Sequence, residues 1–297
     1  MTGRKGEGMK AERLDGKEVA LKMTEEVTCK VKELKEKGID PTLAIVRIGE
    51  NPGDIAYEKG ALKRAEKMGI EVKQFILPSD ADEDEVVECI KQINDDDSIH
   101  GVLMFRPLPK HMNEAKICET LDPRKDVDGI TSGSMAGVFM GTDRGYPPCT
   151  AEACIAILDH YGIDLEGKKV TVMGRSPVIG KPVAMLAMKR NATITVLHSR
   201  TGKENFAEAG RGADVVIAAI GKPKWIGKDQ IGDDQIILDV GINVDENGKL
   251  CGDVDPAPAE EKAKMLTPVP GGVGSVTTAI LMKHVVQAAD KILKCND

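Results

Sequence analysis

A glycine-bearing segment in the second half of the chain has the residue types of a phosphate-binding turn. The segment, Gly174 to Gly180 (GRSPVIG), follows the apolar run 170–173 and precedes a helical pattern. Glycine lets the backbone approach a pyrophosphate, and a helix N-terminus offers unpaired N–H groups at the positive end of its dipole. Ser176 stands where the G-x-G-x-x-G pattern has its second glycine, and the last glycine comes one residue late. On spacing alone, an ordinary strand-to-helix turn is an equal alternative.

The residues after the next predicted strand bear on which dinucleotide such a turn would hold. An NAD site places Asp or Glu against the ribose hydroxyls at this point. This chain has His198, Ser199, Arg200 and Thr201 there. A hydroxyl and a guanidinium with no adjacent acid suit a 2′-phosphate, which Arg binds through two hydrogen bonds. We therefore expect NADP, with NAD possible. The alternative interpretation of the arginine is a solvated loop charge.

A third segment, just before a helical pattern, combines prolines with glycines. It runs from Thr267 to Ser275 (TPVPGGVGS). Prolines restrict the backbone and glycines relax it, so the segment is suited to lining a ligand cleft. A tight crossing between domains with no ligand has the same composition, and both interpretations stay open.

The elements that must position these segments alternate between strand and helix patterns. In the first half, apolar β-type runs and helical patterns follow one another in the order helix 19–34, strand 42–48, helix 55–68, strand 72–77, helix 83–94 and strand 101–105. In the second half, strands are expected at 170–173, 193–197, 214–220 and 235–240. Such alternation predicts parallel sheets covered by helices. The predicted fold class is therefore α/β, with two doubly wound domains.

The stretch 122–148 is rich in Gly, Pro, Ser and Asp, so we expect a long loop or linker there and place the domain boundary at its end. The predicted segments are a flexible extension at 1–8, a first domain at 9–148, a second domain at 149–275 and a helix at 276–297. The last helix is expected to pack back on the first domain.

Composition excludes several classes of protein. The 297 residues carry a formal net charge of -7 and 3% aromatics, which argues against nucleic-acid binding. Seven scattered cysteines without paired metal-ligand spacing predict reduced thiols and no metal site. The longest apolar runs, such as 215–220, are too short to span a bilayer, and residues 1–8 do not have the pattern of a signal peptide. We expect a cytoplasmic protein without a membrane partner.

Nine short motifs follow one another along the chain in a specific order. They are LDGK at 14–17, PLPKH at 107–111, KDVDG at 125–129, PPCT at 147–150, GRSPVIGKP at 174–182, HSRT at 198–201, DVGIN at 239–243, GDVD at 252–255 and TPVPGGVG at 267–274. From about Met9 to the last helix, the chain resembles the methylenetetrahydrofolate dehydrogenase/cyclohydrolase family (FolD-type). The resemblance implies an N-terminal folate-binding domain, a C-terminal Rossmann-type NADP domain, a homodimer and a role in the one-carbon metabolism that serves purine biosynthesis.

The resemblance also implies roles for individual residues. Tyr57 and Asp128 would form the catalytic site, with Tyr57 stacked along the folate and Asp128 hydrogen-bonded to the pterin. Pro270, Gly271 and Gly272 would line the folate pocket. The residues implied to hold the dinucleotide are Gly174, Arg175, Ser176, Gly180, Ser199, Arg200 and Ile242. Without the resemblance, Tyr57 is equally a core residue and Asp128 a turn cap.

The chain departs from the family pattern at two positions of the folate domain. The family has a catalytic lysine four residues after the tyrosine, whereas this chain has Ala61. The glutamine that partners the lysine is Phe105 here, and the usually apolar position after it is Arg106. Lys59 and Lys63 lie nearby in sequence, but helical geometry turns both away from the face shared by Tyr57 and Ala61.

These departures affect the two activities of the family differently. Hydride removal from the methylene bridge needs placement more than a protein base. Hydrolysis of the methenyl product needs an activated water and a delivered proton. We therefore expect an NADP-dependent methylenetetrahydrofolate dehydrogenase with weak or absent cyclohydrolase activity. The alternatives are a bifunctional oxidoreductase and hydrolase, and a non-catalytic folate- or nucleotide-binding regulatory paralogue.

Overall fold

The computed structural model describes the backbone of residues 10–296 and the side chains of residues 10–291. The predicted flexible extension, 1–8, lies outside the described residues. The chain divides into two compact units. The N-terminal unit comprises Ala20–Cys149 and residues 277–296, and the C-terminal unit comprises residues 10–19 and Thr150–Val276.

The helices and strands follow one another largely as the alternating patterns predict. In chain order they are β1 Glu12–Arg13, α1 Gly16–Glu36, β2 Thr42–Ile48, α2 Pro52–Met68, β3 Glu71–Leu77, α3 Glu83–Asp95, β4 Gly101–Met104, α4 Glu114–Thr120, α5 Ser132–Met140, α6 Cys149–His160, β5 Lys169–Met173, α7 Gly180–Met188, β6 Thr193–Leu197, α8 Lys203–Arg211, β7 Val215–Ala218, β8 Ile236–Asp239, β9 Asn243–Val244, β10 Leu250–Cys251, α9 Pro256–Lys262, β11 Met265–Leu266 and α10 Val273–Asn296. Strands β9 and β10 form a separate antiparallel pair. The α/β fold class is confirmed.

The N-terminal unit is built on a three-stranded parallel sheet in the order β3-β2-β4. Its central strand β2 is buried over all but its last residue, which fits its continuous apolar run. Val46 pairs with Phe75 of β3 and with Met104 of β4. Residues from α3 and α4 close the core against this sheet, so the carboxyl end of β4 is held in a fixed position.

Helix α2 has clear start and stop signals. The Asn51 side chain accepts a hydrogen bond from Gly53 N at 2.8 Å, and Pro52 occupies the first turn, where its missing N–H costs nothing. The helix ends at Gly69, whose φ of 75° lies in the left-handed region. The helix begins three residues before the predicted residue 55.

A buried ion pair joins α2 to the centre of the sheet. Arg47 Nε of β2 lies 2.6 Å from Glu58 Oε2 of α2, and both side chains are at most 10% exposed. Arg47 also donates to Gly49 O, and Gln74 of β3 donates to the second oxygen of Glu58. The carboxylate therefore bonds to two neighbouring strands, and this sets the rotation of α2 about its own axis.

The prediction of a long loop over 122–148 is wrong in its centre, because α5 lies there. Thr131 caps this helix by accepting from Ser134 N at 3.0 Å, and Asp126 accepts from Ile130 N and Thr131 N. Glycine has a low helix propensity, so a segment with glycines at its centre is not predicted as a helix from sequence. Here a Cβ at Gly137 would collide with the carbonyl of Arg144, so close packing selects glycine. Helix α4 was also not predicted.

The C-terminal unit contains a six-stranded parallel sheet in the order β1-β11-β8-β7-β5-β6. The four longer strands lie where the sequence predicts strands. Strands β1 and β11 were missed, because two residues are too few to show a pattern. Glu12 of β1 pairs with Met265 of β11, so residues 10–19 belong to this unit and not to a first domain spanning 9–148.

Residues 10–296 lack two features. Within that range no helix is long and apolar enough to cross a membrane. No group of three or more His, Cys, Asp or Glu side chains that could hold a metal ion occurs in the same range.

The buried ion pair predicts a large effect on stability. Glu58→Gln, like Arg47→Met, leaves a buried charge without its partner and should lower the free energy of unfolding by about 3–5 kcal/mol. Urea denaturation monitored by circular dichroism measures this change in the free energy of unfolding. Lys73→Met is the matched control, because Lys73 and Asp96 form an ion pair with side chains 45% and 39% exposed, and its loss should cost at most about 1 kcal/mol. Equal destabilisation by Glu58→Gln and Lys73→Met would contradict a fixing role for the buried pair.

Candidate functional site

Tyr57 lies on α2 beside the end of strand β4. Its side chain is 39% exposed, so it is not a core residue. Its ring meets the ring of Phe105 edge to face, with centroids 5.9 Å apart and planes at 83°. Phe105 directly follows β4 and donates its N–H to Val46 O at 3.1 Å. The sheet therefore places an apolar ring against the tyrosine, at the position where the resemblance implies a glutamine.

One turn further along α2, Ala61 is fully buried. At 3.6 residues per turn, Ala61 lies about 40° around the helix from Tyr57. Lys59 and Lys63 are both exposed and are each about 160° from Ala61. Neither lysine is turned toward the position where the family lysine would reach.

Asp128 sits in a turn of the N-terminal unit beside Cys149. Burial raises the pKa of Asp128 to about 6, the Cys149 thiol hydrogen-bonded to it lowers the pKa, and the charge of Asp126 raises it. The next residue, Gly129, has φ 67°, and a Cβ there would collide with Pro148. This glycine is required both by the turn and by the close approach of the following loop.

The surroundings of Asp128 are closed by a buried histidine. His284 Nδ1 of α10 lies 2.8 Å from Val127 O, and Cys149 Sγ lies 3.3 Å from the same carbonyl oxygen. Both residues are at most 1% exposed. The backbone that carries Asp128 is thereby held from two sides.

Tyr57, Asp128, Cys149 and Arg64 share one electrostatic environment. Burial, followed by the charges of Asp128 and Cys149, raises the pKa of the Tyr57 hydroxyl, and Arg64 lowers it. The phenol is therefore neutral at physiological pH. The groups that act most strongly on Tyr57 include no lysine. We call this environment, defined by Tyr57, Ala61, Arg64, Phe105 and Asp128, the Tyr57 pocket.

Two arginines border the Tyr57 pocket. Arg106 follows Phe105, lies 3.7 Å from Glu114 Oε1 through Nη1, and lowers the pKa of Asp128. Arg64 was not singled out in the sequence, although it follows Tyr57 by seven residues, which is two helical turns. That spacing was the signal that could have found it.

The C-terminal unit holds a long groove of about 1780 Å³ beside the first turn after β5. Among the residues predicted to hold a dinucleotide, Gly174, Arg175, Ser176 and Ser199 line it. Thr201 and Lys203 line it as well. The groove is larger than a usual small-molecule pocket, and an extended dinucleotide fits that size. Glu204 on α8 also lines it, so the groove is not free of acid.

Three of the predicted dinucleotide residues are not in the groove lining. Gly180 starts α7, and a Cβ there would collide with Gly174 O, so it allows the turn to close on itself. Arg200 is exposed and donates its backbone N–H to His198 Nδ1 at 3.2 Å. Ile242 is 69% exposed. The glycine-bearing turn is therefore built as expected, while Arg200 and Ile242 lie outside the groove lining.

Trp225, the chain's only tryptophan, lines the same groove but is not predicted from the sequence. Its ring meets Phe206 of α8 edge to face at 5.1 Å. The low aromatic content of the chain, 3%, argues against surfaces on which bases could stack. A single aromatic residue after β7 also gives no periodic pattern.

Two buried carboxylates explain the DVGIN and GDVD motifs. Asp253 accepts hydrogen bonds from the backbone N–H groups of Ile220, Gly221 and Lys222 at 2.6 to 2.9 Å. Asp239 accepts from Gly241, Asp253 and Val254 at 2.9 Å, while burial raises its pKa to about 6. These bonds fix the loops after β7 and β8.

The predicted pocket-lining residues Pro270, Gly271 and Gly272 belong to a tied segment of the C-terminal unit. Gly16 N donates to Gly271 O at 2.9 Å, and a Cβ on Gly16 would collide with Gly272 O. The LDGK motif thus packs on this segment at close range.

Comparison with known proteins identifies both halves of the chain. The tetrahydrofolate dehydrogenase/cyclohydrolase catalytic domain matches residues 14–128, and the NAD(P)-binding domain of the same family matches residues 148–293. "Bifunctional protein FolD" of Clostridioides difficile is 48% identical over 94% of this chain and 96% of its own length.

Solved structures agree with these matches. The bifunctional FolD dehydrogenase/cyclohydrolase of Campylobacter jejuni is 36% identical with a TM-score of 0.92, over 95% of this chain and 99% of its own. The Trypanosoma brucei FolD, solved with NADP and an inhibitor, is 29% identical with a TM-score of 0.89, over 96% and 99%. The chain therefore belongs to the tetrahydrofolate dehydrogenase/cyclohydrolase family.

Proposed function

We propose that this protein oxidises 5,10-methylenetetrahydrofolate to 5,10-methenyltetrahydrofolate with NADP and hydrolyses the product slowly or not at all. The observation that carries the proposal is the Tyr57 pocket. It retains Tyr57 and Asp128 but has the methyl group of Ala61 and the ring of Phe105 where the family has lysine and glutamine. The homodimer and the cytoplasmic location remain proposals that rest on the family resemblance.

The oxidation can proceed without a protein base. A hydride leaves the carbon between N5 and N10 of the folate, and a nitrogen lone pair completes the carbon–nitrogen double bond, so no proton is exchanged. NADP supplies the nicotinamide that accepts the hydride. The protein's contribution is to hold the reactants in line, which can provide several kcal/mol of the barrier reduction.

Residue roles follow from the chemistry of the two ligands. We propose that the Asp128 carboxylate accepts hydrogen bonds from the pterin N–H groups. Tyr57 stacks against the aromatic part of the folate. Pro270 to Gly272 are assigned to the folate as well. Because Arg200 lies outside the groove lining and Arg175 and Ser199 lie in it, the 2′-phosphate is assigned to Arg175 and Ser199 and not to Arg200. Gly174, Ser176 and Gly180 form the turn. Arg200 and Ile242 make secondary contacts with the dinucleotide in this proposal.

Apart from Asp128, the residues of the Tyr57 pocket offer no group suited to hydrolysis of the methenyl product. Water must be activated, and the departing nitrogen must receive a proton. The Tyr57 hydroxyl is neutral because its pKa is raised, and the guanidinium groups of Arg64 and Arg106 do not give up protons. Ala61 and Phe105 carry no titratable group.

A second candidate is the bifunctional enzyme, which the names of the relatives favour. One feature of the pocket supports it. The Asp128 carboxyl has a pKa of about 6, in the range suited to a general base at neutral pH. The two candidates differ in what accumulates during turnover.

The reaction should stop at the methenyl compound. With methylenetetrahydrofolate and NADP, methenyltetrahydrofolate is expected to accumulate in step with NADPH, and enzymatic hydrolysis should be at least about 100-fold slower. Chromatographic measurement of the methylene, methenyl and 10-formyl forms in one reaction tests this, with an enzyme-free sample for spontaneous hydrolysis. Formyl-folate appearing at the rate of NADPH would establish the bifunctional enzyme, and absence of NADPH would exclude the dehydrogenase.

The complementary variant restores the missing pair. Ala61 is fully buried, so a lysine there needs the space that Phe105 occupies near Tyr57, and Ala61→Lys should be combined with Phe105→Gln. Hydrolysis of added methenyl-folate should rise by at least about tenfold in the double variant. Lys59→Ala, at an exposed position on the opposite side of α2, should leave hydrolysis unchanged.

Folate use should depend on pH through Asp128. Its pKa is raised to about 6, so the carboxylate needed to accept pterin N–H groups is present above that pH and is lost as pH falls through it. kcat/KM for the folate should therefore drop about tenfold per pH unit below 6. Asp128→Asn should remove this dependence and lower kcat/KM by about 10- to 100-fold at pH 7.5. Asp84→Asn, at a carboxylate 95% exposed, is the control that should keep the wild-type profile.

Dinucleotide preference should depend on Arg175. Arg175→Ala should reduce kcat/KM for NADP by about 10- to 100-fold and affect NAD far less, because only NADP carries the 2′-phosphate. Lys228→Ala, another cation of the groove lining, should affect both dinucleotides alike. Quenching of Trp225 fluorescence measures the two affinities independently of turnover. Equal losses for both dinucleotides in Arg175→Ala would show that this arginine does not read the phosphate.

A further inference from the structure

Arg64 lies on the same side of α2 as Tyr57 and Ala61. At 3.6 residues per turn it is about 20° around the helix from Tyr57 and about 60° from Ala61. Helical side chains point back toward the N-terminus and cover the surface over the preceding turn. Arg64 therefore shares this side of α2 with Ala61 and Tyr57, and its charge lies near enough to act on the Tyr57 hydroxyl.

The guanidinium is half-buried and has no carboxylate partner among the described residues. Its Nη1 donates to the Thr24 hydroxyl at 3.4 Å, and that hydroxyl donates to Ala20 O at 2.6 Å. Arg47 differs, because its charge is neutralised by Glu58. Arg64 is thus oriented by a neutral acceptor and keeps its full positive charge.

The charge of Arg64 acts inside the Tyr57 pocket. It lowers the pKa of the Tyr57 hydroxyl, the same group on which Asp128 acts in the opposite direction. Burial lowers the pKa of Arg64 itself, but a guanidinium remains protonated in proteins. A lysine can release its proton when positive charge builds up nearby, and an arginine cannot.

The two folates of the proposed reaction differ in charge at the one-carbon bridge. The methylene bridge is neutral, whereas the methenyl bridge carries a positive charge shared by N5 and N10. We propose that Arg64 is a specificity-determining residue whose permanent charge disfavours the cationic methenyl product and so promotes its release before hydrolysis. The inference rests on the proposed function.

Coulomb's law gives the size of the effect. At an effective dielectric between that of a protein surface and that of water, two unit charges within about 8 Å of each other change affinity by about tenfold or more. The glutamate carboxylates of the folate are common to both ligands. The ratio of the two dissociation constants therefore isolates the charge of the bridge.

The test measures that ratio by isothermal titration calorimetry, with the cationic methenyltetrahydrofolate and the neutral 5-methyltetrahydrofolate, whose one-carbon unit is a methyl group on N5, as probes. Arg64→Met removes the charge and should tighten methenyl binding about tenfold relative to the neutral folate. Arg64→Lys keeps a cation and should stay within about threefold of the wild-type ratio. Arg124→Met, at a side chain 86% exposed, is the control and should not change it.

Two outcomes would overturn the inference. An unchanged ratio in Arg64→Met would show that the charge does not reach the bridge. An equal shift in Arg64→Lys would show that packing is responsible. Arg64→Gln provides the same test if the methionine variant does not fold. Failure of the wild-type protein to bind the neutral folate would instead contradict the proposed function, and accumulation of methenyl-folate with an unchanged ratio would contradict only the role of Arg64.

Discussion

The buried pair between Arg47 and Glu58 is the interaction on which the candidate folate site depends. It ties α2 to the central strand of the N-terminal sheet, and Gln74 adds a bond from the neighbouring strand. A helix held in this way cannot rotate about its axis without breaking a buried charge pair, which is strongly unfavourable. Its rotation decides that Ala61 is buried while Lys59 and Lys63 remain in solvent.

With that rotation set, the chemistry of the Tyr57 pocket follows from the charges that face it. One carboxylate, Asp128, is opposed by the guanidinium groups of Arg64 and Arg106. Neither guanidinium group replaces a lysine that exchanges protons near neutral pH, because guanidinium groups stay charged. This charge arrangement is the basis of our proposal that the pocket places a folate for hydride transfer and does not hydrolyse it efficiently.

The C-terminal unit uses buried charge for a different purpose. Asp239 and Asp253 accept several backbone N–H groups each and thereby hold the loops that follow β7 and β8. The groove beside the Gly174 turn is bordered by the first of these loops, and Ile220 and Lys222 lie in its lining. Rigid loops reduce the entropy lost when a ligand binds. The DVGIN and GDVD motifs, which contain Asp239 and Asp253, therefore have a structural role in holding these loops.

The sequence by itself determined the alternation of strands and helices, the glycine-bearing turn after β5 and the loss of the lysine at position 61, because each depends on local pattern or on residue identity. Only the tertiary structure decided the rest. Strands β1 and β11 and helix α5 form through pairing and packing with distant segments, so two residues or a run of small ones carry too little local signal. The place of Arg64 in the Tyr57 pocket was also decided there, because the environment of a side chain is set by the segments that fold around it and not by its neighbours in sequence.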